Sequence, residues 1–253
     1  MATETRLKIG GAVLTTNRDA LHALPAIPPL ENGDYLTRAE FERRYNALPW
    51  LKKAELIEGV VYMGSPVRSE VHAEPHAAVV MWAGVSRAAT PGVRVADNAT
   101  LRLDPDNEPQ PDVMLRIEPQ AGGTSRIGDD GYVEGAPELV IEIAASSATY
   151  DVRDKRTIYR RNGVREYIVW QVYDRQLDWW VLRDGEYQPL MPDESGVLRS
   201  EIFPGLWLDG PALLTDDPAT LLATLQQGLA SDEHAAFVEK LAASVSDSDI
   251  EGD

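Results

Sequence analysis

Residues 136–170 read APELVIEIAASSATYDVRDKRTIYRRNGVREYIVW, and this stretch decides the fold. Its first part, Glu138–Ala144, is apolar on both faces apart from its glutamates, which indicates a central strand of a sheet. The next part, Asp151–Asn162, is predicted to be a helix closed by Gly163, because glycine favours helix ends. The stretch ends inside a second predicted central strand, Glu166–Val172. The stretch therefore predicts a strand, a helix and a strand in succession.

The sequence before this stretch completes the predicted core. A buried helix begins near Pro75 and ends at Thr90-Pro-Gly. Strands are predicted over Asn98–Leu103 and Pro111–Ile117, because polar and apolar residues alternate there. From residue 75 the order is helix, three strands, helix and strand, followed by a hairpin around Arg183-Asp-Gly. This order predicts a chain that contains both helices and strands (α/β in the broad sense). Its strands should form a mixed sheet of the α+β type, with parallel and antiparallel neighbours.

An extra helix and an extra strand are predicted upstream. Thr37 and Glu40 fit a capping box in front of RAEFERRYNAL, and Glu55–Met63 reads as a strand. After Leu214 the spacing of apolar residues predicts two small helices, the second capped by Ser231. The predicted units are an N-terminal arm (1–34), a main domain (35–214), a small helical extension (215–243) and a disordered acidic tail (244–253).

Composition limits the possible functions. The 253 residues include no cysteine, which excludes disulfides and thiolate metal sites. No apolar run is long enough for a secretory signal or a membrane span, so we expect a cytoplasmic protein without a membrane partner. The net charge of -17 means that any nucleic-acid site must be a local basic patch. We expect the chain from Leu229 onward to be dispensable for folding.

Two carboxylates are candidates for the chemistry. Glu142 lies inside an apolar strand, where a carboxylate needs a cationic partner because burying an unpaired charge is costly. That partner is either an arginine in a structural ion pair or a bound metal. Asp112 follows Pro111 at the start of a neighbouring strand; taken alone it would be a turn residue. Two carboxylates side by side repel unless a cation lies between them, and Mg²⁺ prefers such oxygen ligands.

Lys155 is the third candidate. Val152, Lys155, Arg156 and Tyr159 share one face of the predicted helix, which turns Lys155 towards the strands. The alternative is a lysine on a solvated face whose charged end reaches water.

The combination of Pro-Asp, a glutamate in an apolar strand and a nearby lysine is the pattern of PD-(D/E)XK nucleases. Over residues 35–214 the chain resembles the Uma-type restriction endonuclease family of that superfamily, through ELIEGVVYM, EPQPDVML, residues 136–170 and FPGLWLD. The usual lysine position holds Ala144, but in this family the lysine lies on the following helix, in a D-x-x-x-K setting that Asp151 and Lys155 reproduce. The commoner Leu-Ser-Pro after the glutamate is here Ala144-Ala-Ser, which alters the local backbone only.

The resemblance implies a restriction-endonuclease-like αβββαβ core with an extra N-terminal helix and strand and a C-terminal hairpin. It implies hydrolysis of phosphodiester bonds with Mg²⁺ (or Mn²⁺), as a DNA endonuclease. The alternative is a nuclease-like fold that binds without turnover. The candidate catalytic residues are Asp112, Glu142, Lys155 and Glu58, the candidate metal ligands are Asp112, Glu142 and the carbonyl of Ile143, and the accessory candidates are Glu55 and His76.

Two further patterns in the sequence each allow a structural and a functional interpretation. Residues 153–165 carry six basic residues against one acid, a local charge of +5, either as a solvated helix face or as a ridge that contacts nucleic-acid phosphates. The ridge would comprise Arg153, Arg156, Arg160 and Arg161. His72-x-x-x-His76 has zinc-site spacing, but Pro75 interrupts the helix, so we predict no zinc; for His76 a capping or core role competes with a place at the site. The expected partner is nucleic acid, with DNA favoured and a homodimer left open.

Overall fold

The computed structural model describes residues 4–9, 12–17, 27–64, 69–145 and 151–250; for 4–9, 12–17, 71, 151–152 and 247–250 only the backbone is described. The strands are β1 (Glu4–Ile9), β2 (Ala12–Asn17), β3 (Ala54–Ile57), β4 (Val60–Met63), β5 (Val93–Asp97), β6 (Leu101–Arg102), β7 (Val113–Ile117), β8 (Arg126–Ile127), β9 (Val133–Glu134), β10 (Leu139–Ala144), β11 (Glu166–Gln171), β12 (Gln176–Arg183), β13 (Glu186–Pro189), β14 (Val197–Arg199) and β15 (Trp207–Asp209). The α-helices are α1 (Arg38–Asn46), α2 (Glu74–Ala89), α3 (Arg156–Asn162), α4 (Gly210–Leu214), α5 (Pro218–Leu229) and α6 (Asp232–Ile250). Short π-helical turns, Ser69–Ala73 and Asp151–Lys155, lead into α2 and α3, and Pro119–Ala121 forms a 3-10 turn.

A six-stranded mixed sheet organises the fold, in the order β13-β12-β11-β10-β7-β5. β10 and β11 are parallel and are joined through α3, whereas the other neighbours in this sheet are antiparallel. The order α2, β5, β7, β10, α3, β11 is the predicted helix, three strands, helix and strand. The predicted fold class, a mixed sheet in a restriction-endonuclease-like α+β core, is therefore confirmed.

One strand of this core lies earlier in the chain than predicted. The first core strand is β5, directly after α2, and not Asn98–Leu103. Asn98 has a positive φ of 49°, which ends β5 and turns the chain out of the sheet. Residues 101–102 pair instead with β9 in a separate three-stranded sheet.

The two faces of the sheet bury different sets of side chains. Along β10, Ile141 and Ile143 join the cluster that holds Trp82 of α2, whereas Val140 and Ala144 join the cluster under α3. This alternation is that of a strand buried on both faces. Glu142 therefore points to the α3 side of the sheet.

Local signals in the sequence place several element ends correctly. The Thr37 hydroxyl accepts from the amide of Glu40 at 3.4 Å and caps α1. Gly163 closes α3 with a φ of 86°. The turn between β12 and β13 has positive φ at Asp184 and Gly185, as a two-residue hairpin requires.

The chain ends differ from the predictions. Glu4–Ile9 and Ala12–Asn17 pair as antiparallel strands where an extended arm was predicted, and the other residues of 1–26 lie outside the described residues. The hydroxyl of Ser231 accepts from the amide of His234 and caps α6 as predicted. However, α6 continues to Ile250, so the predicted tail from residue 244 begins inside a helix. None of the helices that the structure describes is both long and apolar enough to cross a bilayer.

The C-terminal helices belong to the main core. Leu221 and Leu225 of α5 and Phe237 and Leu241 of α6 are buried in the cluster that contains Trp82. The burial of two large apolar side chains in that segment argues against the expectation that residues from Leu229 onward are dispensable for folding.

A buried acid fastens the β3–β4 hairpin to the loop before β7. Leu56 and Glu108 exchange backbone hydrogen bonds of 3.1 and 2.7 Å. The Glu108 side chain is buried, and among the described residues its Oε2 has no hydrogen-bond partner. Burial is the largest cause that raises the pKa of Glu108 to about 8, and a hydrogen bond shared with Glu42 acts in the same direction. The positive charges of Arg102 and Arg38 lower this pKa but do not outweigh the two.

This raised pKa predicts a pH-dependent stability. The folded state holds the Glu108 proton up to about pH 8, whereas the unfolded chain releases it near its ordinary pKa of 4.5. The stabilisation is therefore fully present below pH 4.5 and is lost as the pH rises towards 8. We expect the melting temperature of Glu108→Gln to exceed that of the wild type by a larger margin at pH 9 than at pH 5. The margin should grow by roughly 5 °C between these two pH values. Melting curves over this range test it, and a pH-independent difference would contradict it.

Candidate active site

Two buried carboxylates lie opposite each other on β7 and β10. The antiparallel register pairs Ile141 with Val113, so its continuation pairs Glu142 with Asp112 on the same face of the sheet. Both side chains are buried. The amide of Ile143 donates to Oδ2 of Asp112 at 2.8 Å, which fixes the orientation of that carboxylate.

Lys155 supplies the cation that the buried glutamate needs. It is the last residue of the π-helical turn before α3, and it is only 2% exposed. Its Nζ lies 2.9 Å from Oε1 of Glu142 and 2.8 Å from Oε1 of Glu55. Tyr159, one helical turn later, donates its hydroxyl to the same Glu142 oxygen at 2.9 Å. Among the described residues, the cation beside Glu142 is therefore the ammonium of Lys155.

The segment at β3 contributes a third carboxylate. Side chains alternate along it, so Ala54 and Leu56 pack under α1 while Glu55 points towards the central sheet. Oε1 of Glu55 accepts from the amide of Gln110 at 2.8 Å as well as from Lys155. The structure thus brings the accessory candidate Glu55 into the cluster.

The same alternation brings in Lys53, which the sequence analysis missed. Its Nζ lies 3.1 Å from Oδ1 of Asp112 and 3.2 Å from Oδ1 of Asn98. Counting back two residues from Glu55 along a strand would have placed Lys53 on the same face. Its partner is 59 residues away, so no local spacing indicates the pair.

Among the described residues, the site holds three carboxylates and two ammonium groups. Burial raises the pKa of Asp112, but the ammonium of Lys53, the amide of Ile143 and the charge of Lys155 more than offset it, and the pKa lies below its ordinary value. Burial lowers the pKa of Lys53, but the carboxylates of Asp112, Glu55 and Glu142 prevail, and that pKa is raised. Asp112 and Lys53 therefore both stay charged at neutral pH.

Two histidines border the site, with stacked rings 5.9 Å apart. Nε2 of His76 lies 3.1 Å from the carbonyl of Asp112 and 3.0 Å from Oδ1 of Asp97; both partners are acceptors, so this nitrogen carries the proton. Nδ1 of His72 lies 3.0 Å from the carbonyl of Ile143, and its Nε2 lies 3.8 Å from Oδ1 of Asp112. The histidines thus hold the strand ends that carry the carboxylates.

Glu58, predicted as catalytic, lies elsewhere. It occupies the turn between β3 and β4 with a positive φ of 51°, which takes it off the alternating pattern of the strand. Its half-exposed carboxylate forms an ion pair with Arg161 at 2.9 Å. The structure does not bring Glu58 to the cluster.

The predicted basic ridge is largely engaged by other side chains. Arg160 pairs with Glu186 at 2.8 Å. Arg161 pairs with Asp104 at 3.2 Å in addition to Glu58. Arg156 lies over the ring of Trp180 at 5.1 Å, and Arg153 is exposed. The ridge therefore offers less free positive charge than its sequence implies.

The site fits a divalent cation in donor chemistry. Asp112, Glu142 and the carbonyl of Ile143 are oxygen donors on neighbouring strands, the kind that Mg²⁺ takes. As the side chains stand, no group of three His, Asp or Glu among the described residues is arranged to hold a metal. The reason is visible in the contacts, because carboxylate oxygens of Asp112 and Glu142 face the ammonium groups of Lys53 and Lys155.

Comparison with known proteins identifies the family to which this chain belongs. No curated protein matches the chain. A crystal structure described as a "putative nuclease belonging to DUF820" from Anabaena variabilis is 14% identical, with a TM-score of 0.49, and the match covers 72% of this chain and 97% of that one. The family described as "Putative restriction endonuclease", Uma2, matches residues 38–211 and takes in β3, β7, β10 and α3. The match spans well over half of the 253 residues, and the chain therefore belongs to the Uma2 family, which is of the nuclease type.

Proposed function

We propose that this protein is a divalent-metal-dependent phosphodiesterase, a DNA endonuclease, with Asp112, Glu142 and Lys155 at its centre. One observation carries the proposal. Two buried carboxylates face each other on neighbouring strands, and a lysine from the following helix lies 2.9 Å from one of them. A purely structural ion pair would not need the second carboxylate or the second lysine beside it.

The residues divide the chemistry among them. Asp112, Glu142 and the Ile143 carbonyl would hold Mg²⁺ or Mn²⁺, and the cation would lower the pKa of water and polarise the scissile phosphate. Glu142 is kept in place by Lys155 and Tyr159, and Asp112 by the Ile143 amide. Lys155 would supply a positive charge that offsets the negative charge developing on the oxygens of the scissile phosphate during hydrolysis.

A second candidate is a protein of the same fold that binds nucleic acid without turnover. The ion pairs of Asp112 with Lys53 and of Glu142 with Lys155 favour it, because they occupy carboxylates that a catalytic cation would need. In that case Lys53 and Lys155 would neutralise the carboxylates permanently, and no divalent cation would bind.

The proposed function predicts that Glu142→Gln and Asp112→Asn lose cleavage by at least about 100-fold, because each removes a charged oxygen ligand from the cation. Cleavage of plasmid, single-stranded DNA and RNA is measured with Mg²⁺ and with Mn²⁺. Calorimetry should show Mn²⁺ binding in the wild type and its loss in both variants.

Glu186→Gln is the matched control, because this exposed glutamate pairs with Arg160 away from the cluster. Cleavage by the two site variants at the wild-type rate would refute the proposal. A wild type that binds duplex DNA but neither Mn²⁺ nor Mg²⁺ would support the binding protein instead.

A further inference from the structure

The two lysines of the site differ in their access to solvent. The side chain of Lys155 is 3% exposed and lies between the carboxylates of Glu55 and Glu142. The side chain of Lys53 is 29% exposed. Lys53 can therefore move to a ligand at the surface of the site, whereas Lys155 is held inside it.

Lys53 occupies the oxygen of Asp112 that faces away from the strand backbone. Oδ2 of Asp112 is used by the amide of Ile143, and Oδ1 meets Nζ of Lys53 at 3.1 Å. Nζ of Lys53 also lies 3.2 Å from the neutral amide oxygen of Asn98. A cation that binds to Oδ1 must compete with this ammonium, because two positive charges on one oxygen repel each other.

We propose that Lys53 has two successive positions: on Asp112 in the free protein, where it stands in for the divalent cation, and on a phosphate of the nucleic acid when the cation is bound. The inference rests on the proposed function and adds a residue that contacts the substrate. The four-carbon stem of lysine allows the move without a change in the sheet, and an ammonium is a point charge suited to phosphate.

The proposal predicts that removing the charge of Lys53 changes metal affinity and duplex affinity in opposite directions. Without the ammonium, the cation no longer displaces a competitor, so metal affinity rises. Without the phosphate contact, duplex affinity falls and depends less on salt, because each phosphate contact adds about one unit to the slope of log affinity against log salt. A lysine that only supports the fold would lower both affinities together.

The test is Lys53→Met, which keeps the apolar stem and removes the charge. We expect Mn²⁺ to bind about tenfold more tightly by calorimetry. With Ca²⁺ present, a hard cation that oxygen donors also bind and that fills the cation site, we expect a 20-base-pair duplex to bind several-fold more weakly, with a salt slope smaller by about one. Lys53→Arg should keep Mn²⁺ and duplex affinity near the wild-type values. Lys52→Met is the matched control, because Lys52 is the exposed neighbour, and its Mn²⁺ affinity should not change.

Each outcome decides between the two proposals. A wild type that binds Mn²⁺ and cleaves, with a Lys53→Met variant of unchanged or weaker Mn²⁺ affinity, overturns the role of Lys53 alone. Unchanged duplex affinity and salt slope in that variant overturn the phosphate contact. A wild type that binds no Mn²⁺ overturns the proposed function and this inference with it.

Discussion

Replacing Lys155 with methionine is expected to destabilise the free protein by about 3–5 kcal/mol and to abolish cleavage. The ammonium is buried between Glu55 and Glu142, and removing one partner of a buried ion pair leaves uncompensated charge. Urea denaturation gives the loss in the free energy of unfolding, and a plasmid assay gives the activity. Lys155→Arg should also cleave poorly, since a planar guanidinium does not replace a compact ammonium.

The cause of the instability can be separated from a general packing defect. Adding Glu142→Gln to Lys155→Met removes one of the charges left behind and should restore part of the lost stability. Lys240→Met, on the exposed side of α6, controls for the loss of a lysine. If Lys155→Met is as stable and as active as the wild type, the centre of the site lies elsewhere.

Deleting residues 231–253 is expected to be equally severe. The deletion removes Phe237 and Leu241 from the core, each worth roughly 1.5–3 kcal/mol when fully buried. It also removes buried His234, whose Nε2 lies 3.0 Å from the hydroxyl of Thr90 at the end of α2. We expect the truncated chain to melt at least roughly 10 °C lower, or not to fold.

A single substitution in the full chain tests the same cause. Phe237→Ala should reproduce a large share of the loss, whereas Glu239→Ala, on the exposed side of α6, should have little effect. A truncated protein with the melting temperature of the wild type would show that α6 is an accessory.

The features that could be predicted from the sequence are those marked by a strong periodic pattern of apolar residues. The apolar run around Glu142 identified a strand buried on both faces, and the spacing of Lys155 and Tyr159 turned both side chains towards it. These signals are local and strong, because a buried carboxylate is costly unless it is paired. The fold class followed from the same elements.

What could not be predicted depends on contacts distant in sequence or on single backbone angles. Lys53 meets Asp112 only after the β3 segment docks on the sheet. Positive φ angles at Glu58 and Asn98 shift residues off a pattern that alternation alone would continue. Lys155 was expected beside the carboxylates, whereas the second ammonium, that of Lys53 beside Asp112, was not.

The β3–β4 hairpin and α1 have a small apolar cluster of their own, built around Phe41, Leu56 and Val61. This unit carries Glu55 and, just before β3, Lys53, while the other charged groups of the site belong to the central sheet and to the turn before α3. We therefore expect this unit to open locally at a lower free energy than the sheet needs to unfold. Local opening of this unit would take the site apart while the sheet stays intact, and hydrogen exchange at the amides of β3 would report it.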